Sequence, residues 1–259
     1  MTKAITLSFS GADPSGGAGI QADIEAITSM GAFAMPITTA LTIQNSSGVK
    51  QFYPVDPSLL LEQANCLLED VKISAIKTGM LANKMIIEAV SNICRSQPTV
   101  PLVLDPVLAS NSGDILSDAC IAKDIRKYLL PITTIITPNL PELKRLVPET
   151  DDAKQACQII ADAGCEYVLL TGTHGDTKNV NNQLYQRGEL IDEQTWPRLA
   201  GEYHGSGCTL ASALAALLAQ GKDTQEANKR AQDYTWHCLK HAMALGHGQY
   251  FPNRFYWRD

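Results

Sequence analysis

The chain has 259 residues, of which 45% are hydrophobic and 19% charged, and a formal net charge of −6. That length can bury a full core, and the composition is that of a soluble globular protein. The acidic balance, without a long basic block, excludes duplex nucleic acid and an anionic membrane surface as main partners; small anionic ligands stay open.

The seven cysteines are an odd number and scattered, without Cys-x-x-Cys pairs or a nearby His pair. They fit neither a zinc site nor a disulfide framework, and they point to a reducing, cytoplasmic setting. The first residues run straight into a strand-like segment without a signal-peptide pattern. No apolar run approaches the ~20 residues that span a bilayer.

In chain order, residues 4–9 read as a buried strand and residues 10–19, rich in Gly, Ser and Pro, as a loop. A helix is predicted over 19–30, stopped by Gly31. A strand over 33–39 leads to Thr42, Ile43, Gln44 and Asn45, then to a Ser/Gly turn, and residues 49–55 alternate like a strand on a half-exposed sheet. Pro57 and Ser58 open a helix that runs to about Asp70. Strands are then predicted at 73–77, 102–104, 134–136 and 167–170, and helices at 83–95, 117–129, 140–146 and 151–163. Short apolar strands alternating with helices specify a mostly parallel sheet covered by helices on both faces. Residues 180–200 break that pattern and read as a small antiparallel hairpin at the sheet edge. Two helices, 207–219 and 223–244, and an aromatic tail from Tyr250 to Trp257 close what reads as a single α/β domain over residues 1–259. The tail suits either a dimer patch or docking onto its own domain.

In open α/β sheets ligands bind beyond the carboxyl ends of the strands, and the residues without a routine structural reason fall there. They are the loop after the first strand, Gln44, Lys77 to Met80, Asp105, Asn139, Glu142, Thr171 and the turn Gly205-Ser206-Gly207. That turn opens the most apolar run in the chain, and the glycines leave several N–H groups pointing one way at the positive end of a helix. Cys208, in the first helical turn, is expected to have its thiolate form favoured there. An anion cradle holding a base suggests phosphoryl transfer. Glycines that only turn the chain and a cysteine that only packs are the alternative. Asp105 before Pro106, with Asn139 and Glu142 three residues apart at a helix start, offer hard oxygen ligands suited to Mg²⁺. A plain N-cap with its capping-box partner explains the latter pair equally well. Gln44 can donate to and accept from an amino-substituted heteroaromatic ring. Met80 could cover a ring face, and His204 stands beside the glycine turn.

Taken together these motifs are recognisable: Ser10-Gly11-Ala12-Asp13-Pro14-Ser15-Gly16-Gly17-Ala18-Gly19-Ile20-Gln21-Ala22-Asp23, Thr39-Ala40-Leu41-Thr42-Ile43-Gln44-Asn45, Lys77-Thr78-Gly79-Met80-Leu81, Asp105-Pro106-Val107, Ser112-Gly113-Asp114, Thr137-Pro138-Asn139-Leu140-Pro141-Glu142 and His204-Gly205-Ser206-Gly207-Cys208-Thr209-Leu210. In this order they resemble the hydroxymethylpyrimidine/phosphomethylpyrimidine kinases of thiamine biosynthesis, in the ribokinase-like superfamily, nearly end to end. The resemblance implies a ribokinase-like fold and ATP-dependent phosphorylation of the hydroxymethyl group of 4-amino-5-hydroxymethyl-2-methylpyrimidine, followed by a second transfer that gives the diphosphate. It implies that Gln44 binds the pyrimidine, with Gly11, Ala18, Asp23, Met80 and Val107 shaping its pocket. Asp105, Asn139, Glu142, Thr171 and Gly172 would serve ATP, with Asp105 and Glu142 on Mg²⁺. Gly205, Ser206, Gly207 and Cys208 would form the anion hole, with Cys208 as base, and the assembly would be a homodimer. Thr171-Gly172-Thr173-His174 stands where many members carry Lys-Gly-Gly-His, and Asn111 replaces a frequent lysine. Two other readings are a pyridoxal or pyridoxine kinase of the same superfamily and a non-catalytic pyrimidine-binding relative.

Overall fold

The computed structural model describes residues 3–108, 120–173 and 177–258. Among them the chain forms a sheet of nine strands, in the order β3-β2-β1-β4-β5-β6-β7-β8-β9. The strands are β1 (Ile5–Ala12), β2 (Phe33–Asn45), β3 (Gly48–Pro54), β4 (Ala75–Thr78), β5 (Leu102–Leu104), β6 (Ile135–Ile136), β7 (Tyr167–Leu170), β8 (Asn179–Gln186) and β9 (Glu189–Pro197). The run from β2 through β1 to β7 is parallel, and β8 and β9 add the expected antiparallel hairpin at one edge. The helices are α1 (Gly19–Ser29), α2 (Pro57–Asp70), α3 (Lys84–Arg95), α4 (Ile121–Asp124), α5 (Leu140–Leu146), α6 (Ala153–Asp162), α7 (Ser206–Ala219) and α8 (Thr224–Lys240).

Alternation along the short strands sorts the core into two layers. Leu102, Leu104, Ile136, Val168 and Leu170 face α2 to α6, whereas Val103, Ile135 and Leu169 face α7 and α8. Helix α7 is buried nearly all round after its first turn, which is why nine of its fourteen residues are Ala or Leu. The strand order reverses beside β1, and the crevice beyond the carboxyl ends of β1 and β4 is therefore the expected ligand site.

Several expectations are corrected. Strand β1 runs on to Ala12, so Ser10 and Gly11 belong to a strand and not to the loop. A bulge between Ser10 and Gly11 keeps that extension paired with β2. Strand β2 continues unbroken through Gln44 and folds back on β3, giving a second antiparallel edge that the sequence reading did not foresee. The helix predicted over 117–129 is helical from Ile121, passing through a π turn (Ile125–Leu129) into a 3-10 turn (Leu130–Ile132); its first three positions lie outside the described residues, as do Asn111, Ser112-Gly113-Asp114 and His174. Helix α8 stops at Lys240 because the chain beyond it turns back, pairing Met243 with Phe251. The tail docks on its own domain: Phe251 and Arg254 are buried.

Candidate active site

A cavity of about 480 Å³ opens where the carboxyl ends of β1, β4, β5 and β6 meet the start of α7, a volume ordinary for a small-molecule site. Gly11, Ala18, Gln44, Met80, Asp105, Val107, Asn139, Glu142, Thr171 and Gly205 to Cys208 all line it. Two expected members do not. Asp23 is fully buried beneath the floor, where its carboxylate takes Lys77 Nζ at 2.8 Å and the hydroxyls of Ser8 at 2.5 Å and Ser212 at 2.7 Å. It anchors α1 to the sheet and to α7 instead of touching a ligand. Gly172 stands behind the wall: its N–H donates to Asn182 Oδ1 at 3.0 Å, and a Cβ there would lie 2.3 Å from the Asn181 carbonyl oxygen.

The anion cradle is built from two helix starts. Gly205 is the N-cap of α7 in a left-handed conformation, φ +77°, and Ala18 is the N-cap of α1; neither supplies a side-chain cap. The starts of both helices, which no side chain of the N-cap residue covers, face the cavity where an anion would be favoured. The Gly19 N–H at the start of α1 also favours the charged form of the Cys208 sulfur. Gly205 packs against the loop before α1 so closely that a Cβ would meet the Gly17 carbonyl oxygen at 2.0 Å. The same loop is tied to the turn before α7 by Asp13, which accepts from Ser15 N at 2.8 Å and Ala18 N at 2.8 Å and pairs with His204 Nε2 at 2.8 Å. Burial opposes charge on Asp13, but the His204, Ser15 and Ala18 contacts outweigh it and hold the carboxyl below its usual range.

Cys208 reaches the cavity, yet its expected thiolate character is not what the surroundings produce. Burial pushes the thiol up to about 12; the Lys77 ammonium works against that, and the Asp105 and Asp23 carboxylates work with it. The helix start is outweighed because desolvation of a thiolate costs more than a partial positive charge returns. Lys77 stays protonated: burial alone would discharge it, but the Asp23 carboxylate, and Asp105 beyond it, hold it above its usual range.

Asn139 and Glu142 form a full capping box at the start of α5, with Glu142 N donating to Asn139 Oδ1 and Asn139 N to Glu142 Oε2, both at 2.9 Å. Both also line the cavity, so the cap and the ligand-facing role coincide. Burial, then the Asp105 carboxylate, pushes Glu142 up to about 8; burial pushes Asp105 up to about 6 against the pull of Lys77. Asp105 Oδ2 is buried without a hydrogen-bond partner, as are Ser10 Oγ and Thr137 Oγ1 on the same cavity wall. Buried polar atoms left without partners mark where a ligand's own groups belong. Two hard carboxylates on one cavity wall, with Asp105 raising the pKa of Glu142, fit Mg²⁺. Among the described residues no three His, Cys, Asp or Glu side chains cluster closely enough to hold a metal alone. A cation here would draw its remaining ligands from phosphate and water.

At the opposite end, a bulge at Ile43/Gln44 turns Gln44 into the cavity, and its Nε2 donates to Thr42 Oγ1 at 2.8 Å. One N–H and the carbonyl remain for a ligand. Met80, Ala40 and Ala82 with Val49, Phe52 and Val107 form the apolar wall beside it. The sequence reading missed the far end, where Trp196 on β9 and Trp236 on α8 stack at 6.0 Å. There Gln232 Oε1 accepts from both Trp196 Nε1 and Asn182 Nδ2 at 2.9 Å. It also missed Arg198, whose guanidinium holds the carbonyls of Thr173 and Thr177 at 2.7 Å. A hairpin and the exposed face of a helix carry no local signal that they meet.

A family model described as phosphomethylpyrimidine kinase matches residues 13–253. The hydroxymethylpyrimidine/phosphomethylpyrimidine kinase of Escherichia coli (strain K12) is 36% identical over 257 residues, 96% of each chain. Among solved structures, the ADP complex of Bacillus subtilis pyridoxal kinase superimposes with a TM-score of 0.90 at 27% identity, covering 99% of both chains. The phosphomethylpyrimidine kinase of Clostridium difficile 630 does so with a TM-score of 0.78 at 32% identity, covering 90% of this chain and 98% of its own.

Proposed function

The chain belongs to the phosphomethylpyrimidine kinase family, and from that premise we propose that it transfers the γ-phosphoryl group of ATP to the hydroxymethyl group of 4-amino-5-hydroxymethyl-2-methylpyrimidine, and then phosphorylates the monophosphate to the diphosphate, in thiamine biosynthesis. The observation that carries this reading is the convergence of two uncapped helix starts on Cys208, in one cavity with Gln44 on one side and Asp105 and Glu142 on the other. It acts as one kinase domain, a cytoplasmic homodimer. Seven free cysteines support the first setting and exposed Leu41, Ile43 and Tyr53 on one face of the β2–β3 hairpin support the second. No helix among the described residues is long and apolar enough to cross a membrane.

In this mechanism Gln44 pairs with the amino group and neighbouring ring nitrogen of the pyrimidine, and Met80 and Val107 cover its faces. The hydroxymethyl oxygen is thereby held toward Cys208 Sγ. Amides of Gly205 to Cys208 and of Gly19 hold the migrating phosphoryl oxygens, which is where charge must be met in a loose transition state. Thr171, Asn139 and the Trp196–Trp236 end receive the nucleotide. Mg²⁺ held by Asp105 and Glu142 would neutralise those carboxylates and the phosphate charge. Lys77 beneath the floor favours the thiolate, formed as the thiol gives its proton to solvent in the cavity; Sγ takes the hydroxyl proton as the bond from the hydroxyl oxygen to the γ-phosphorus forms and the bond from that phosphorus to the bridging oxygen breaks, ADP leaving with that oxygen.

Pyridoxal is the second reading, favoured by the 0.90 TM-score to a pyridoxal kinase and by the same ring-plus-hydroxymethyl chemistry. Mass spectrometry of products from ATP, Mg²⁺ and each alcohol separates the two. Mono- and diphosphate from the pyrimidine alcohol are expected; phosphorylated pyridoxal alone selects the second reading. Ligand binding with no ATP consumed would make the protein a non-catalytic relative.

A further inference from the structure

Arg254 is 2% exposed and does not line the cavity, yet its guanidinium touches both halves of the anion cradle. Its Nε donates to Thr209 Oγ1 at 2.9 Å, Nη1 to the Gly16 carbonyl at 3.4 Å, and Nη2 to the Gly17 carbonyl. Among the described residues its carboxylate partner is Glu25, at 3.1 Å. Thr209 in turn donates its hydroxyl to the Gly205 carbonyl at 2.8 Å, the N-cap of α7. The Gly17 carbonyl that accepts from Arg254 is also the atom that Gly205 packs against. The segment carrying Arg254 is itself fixed: the Arg254 carbonyl accepts from the Ser29 hydroxyl at 2.7 Å and the Tyr234 hydroxyl at 3.0 Å.

A planar fork of N–H donors can hold several acceptors in fixed relative positions, which a lysine ammonium on a flexible stem cannot. Three of the acceptors here belong to the two elements whose spacing sets the cradle: the loop leading into α1, and the first turn of α7. We propose that Arg254 is a positioning residue for phosphoryl transfer. Through Thr209 and Gly17 it sets the distance between the start of α1 and the start of α7, and so the fit of their amides to the migrating phosphoryl group. The inference rests on the kinase reading of the site. Substrate affinity is carried elsewhere, by Gln44 and the nucleotide end, so the effect falls on turnover.

The test compares the wild type with Thr209→Val, which keeps the side-chain volume and removes only the relay hydroxyl, with Arg254→Lys and with the double variant. Circular dichroism and thermal melting identify the folded proteins. In the kinase assay kcat is expected to fall about tenfold in Thr209→Val and more in Arg254→Lys, with KM for ATP and for the alcohol within about threefold of wild type. The double variant is expected to lose little beyond the worse single, as coupled groups do. Titration calorimetry with inorganic phosphate, which needs no turnover, is expected to show about tenfold weaker binding in Thr209→Val. A folded Thr209→Val with wild-type kcat, a rise in KM at unchanged kcat, losses that multiply in the double variant, or unchanged phosphate affinity would each overturn the proposal. A wild type that binds phosphate more tightly than Thr209→Val yet turns over neither alcohol leaves the positioning role standing and sinks the kinase reading alone.

Discussion

At the Cys208 sulfur, two local rules compete. The helix start favours the thiolate, and enclosure favours the thiol; enclosure wins, holding the resting group neutral at about 12. Cys208→Ala is expected to keep ATP binding, measured by calorimetry, and to lose ~10²–10⁴-fold in turnover, the usual worth of a positioned proton acceptor. Near-normal turnover would remove Cys208 from that role. Asp13 shows the opposite balance. Its folded pKa lies below the ordinary 3.8, so its contribution to stability is present above that value and disappears as pH falls through the lower folded one. Asp13→Asn is expected to cost ~2 kcal/mol near neutral pH, as hydrogen bonds to a charge do. The gap in melting temperature between wild type and variant should close as pH falls below 3.8 and through the lower folded value. A gap that stays constant with pH would mean that the Asp13 charge does not contribute. Asp23 differs from both: its place in the motif is plain in the sequence, but its partners Ser8, Lys77 and Ser212 come from three other elements, and only their meeting turns a supposed ligand residue into an anchor.

Among the elements, α7 separates conformational strain from close packing. Gly205 before it and Gly221 after it have nearly the same left-handed backbone, φ +77° and +78°. A Cβ on Gly221 meets nothing within 4 Å, whereas one on Gly205 meets the Gly17 carbonyl at 2.0 Å. Gly221→Ala is therefore expected to lose only the ~1–2 kcal/mol of a left-handed residue, with activity intact. Gly205→Ala should lose more stability and nearly all turnover, because the loop before α1 must retreat from the cradle. Melting curves and kcat for the two variants decide it; equal losses would show that packing against Gly17 is unimportant. Strand β2 was partly legible in the same way. Its apolar alternation predicted a strand over 33–39, but its continuation to Asn45 depends on β3 pairing back on it across a bulge, a tertiary event with no local signature.

For the whole molecule, the β2–β3 hairpin projects from the sheet with Gln44 on the cavity side and Leu41, Ile43 and Tyr53 outside, 56%, 48% and 50% exposed. Leu41 lies opposite Tyr53 in the antiparallel pair, so the two share a face. On the proposed homodimer, Leu41→Asp is expected to shift the mass in sedimentation equilibrium from dimer to monomer, with the fold retained by circular dichroism; a wild type that sediments as a monomer would overturn the dimer, and a variant as dimeric as wild type would place the interface elsewhere. The aromatic tail, which the sequence left free to serve as dimer patch or as cover for its own domain, takes the second course at Phe251 and Arg254. Period-2 and period-3.6 apolar patterns, glycines at element ends and Asp, Asn and Ser/Thr at helix starts act over a few residues, and from these the sequence by itself determined the alternating α/β order, the mostly parallel sheet and the strand-end edge where the cavity lies. Which polar groups meet across that edge was decided only in three dimensions. Lys77 under Cys208, Arg254 behind Gly17 and Thr209, and Trp196 on Trp236 join residues far apart in the chain, and the protonation state of a buried group depends on all of its neighbours at once.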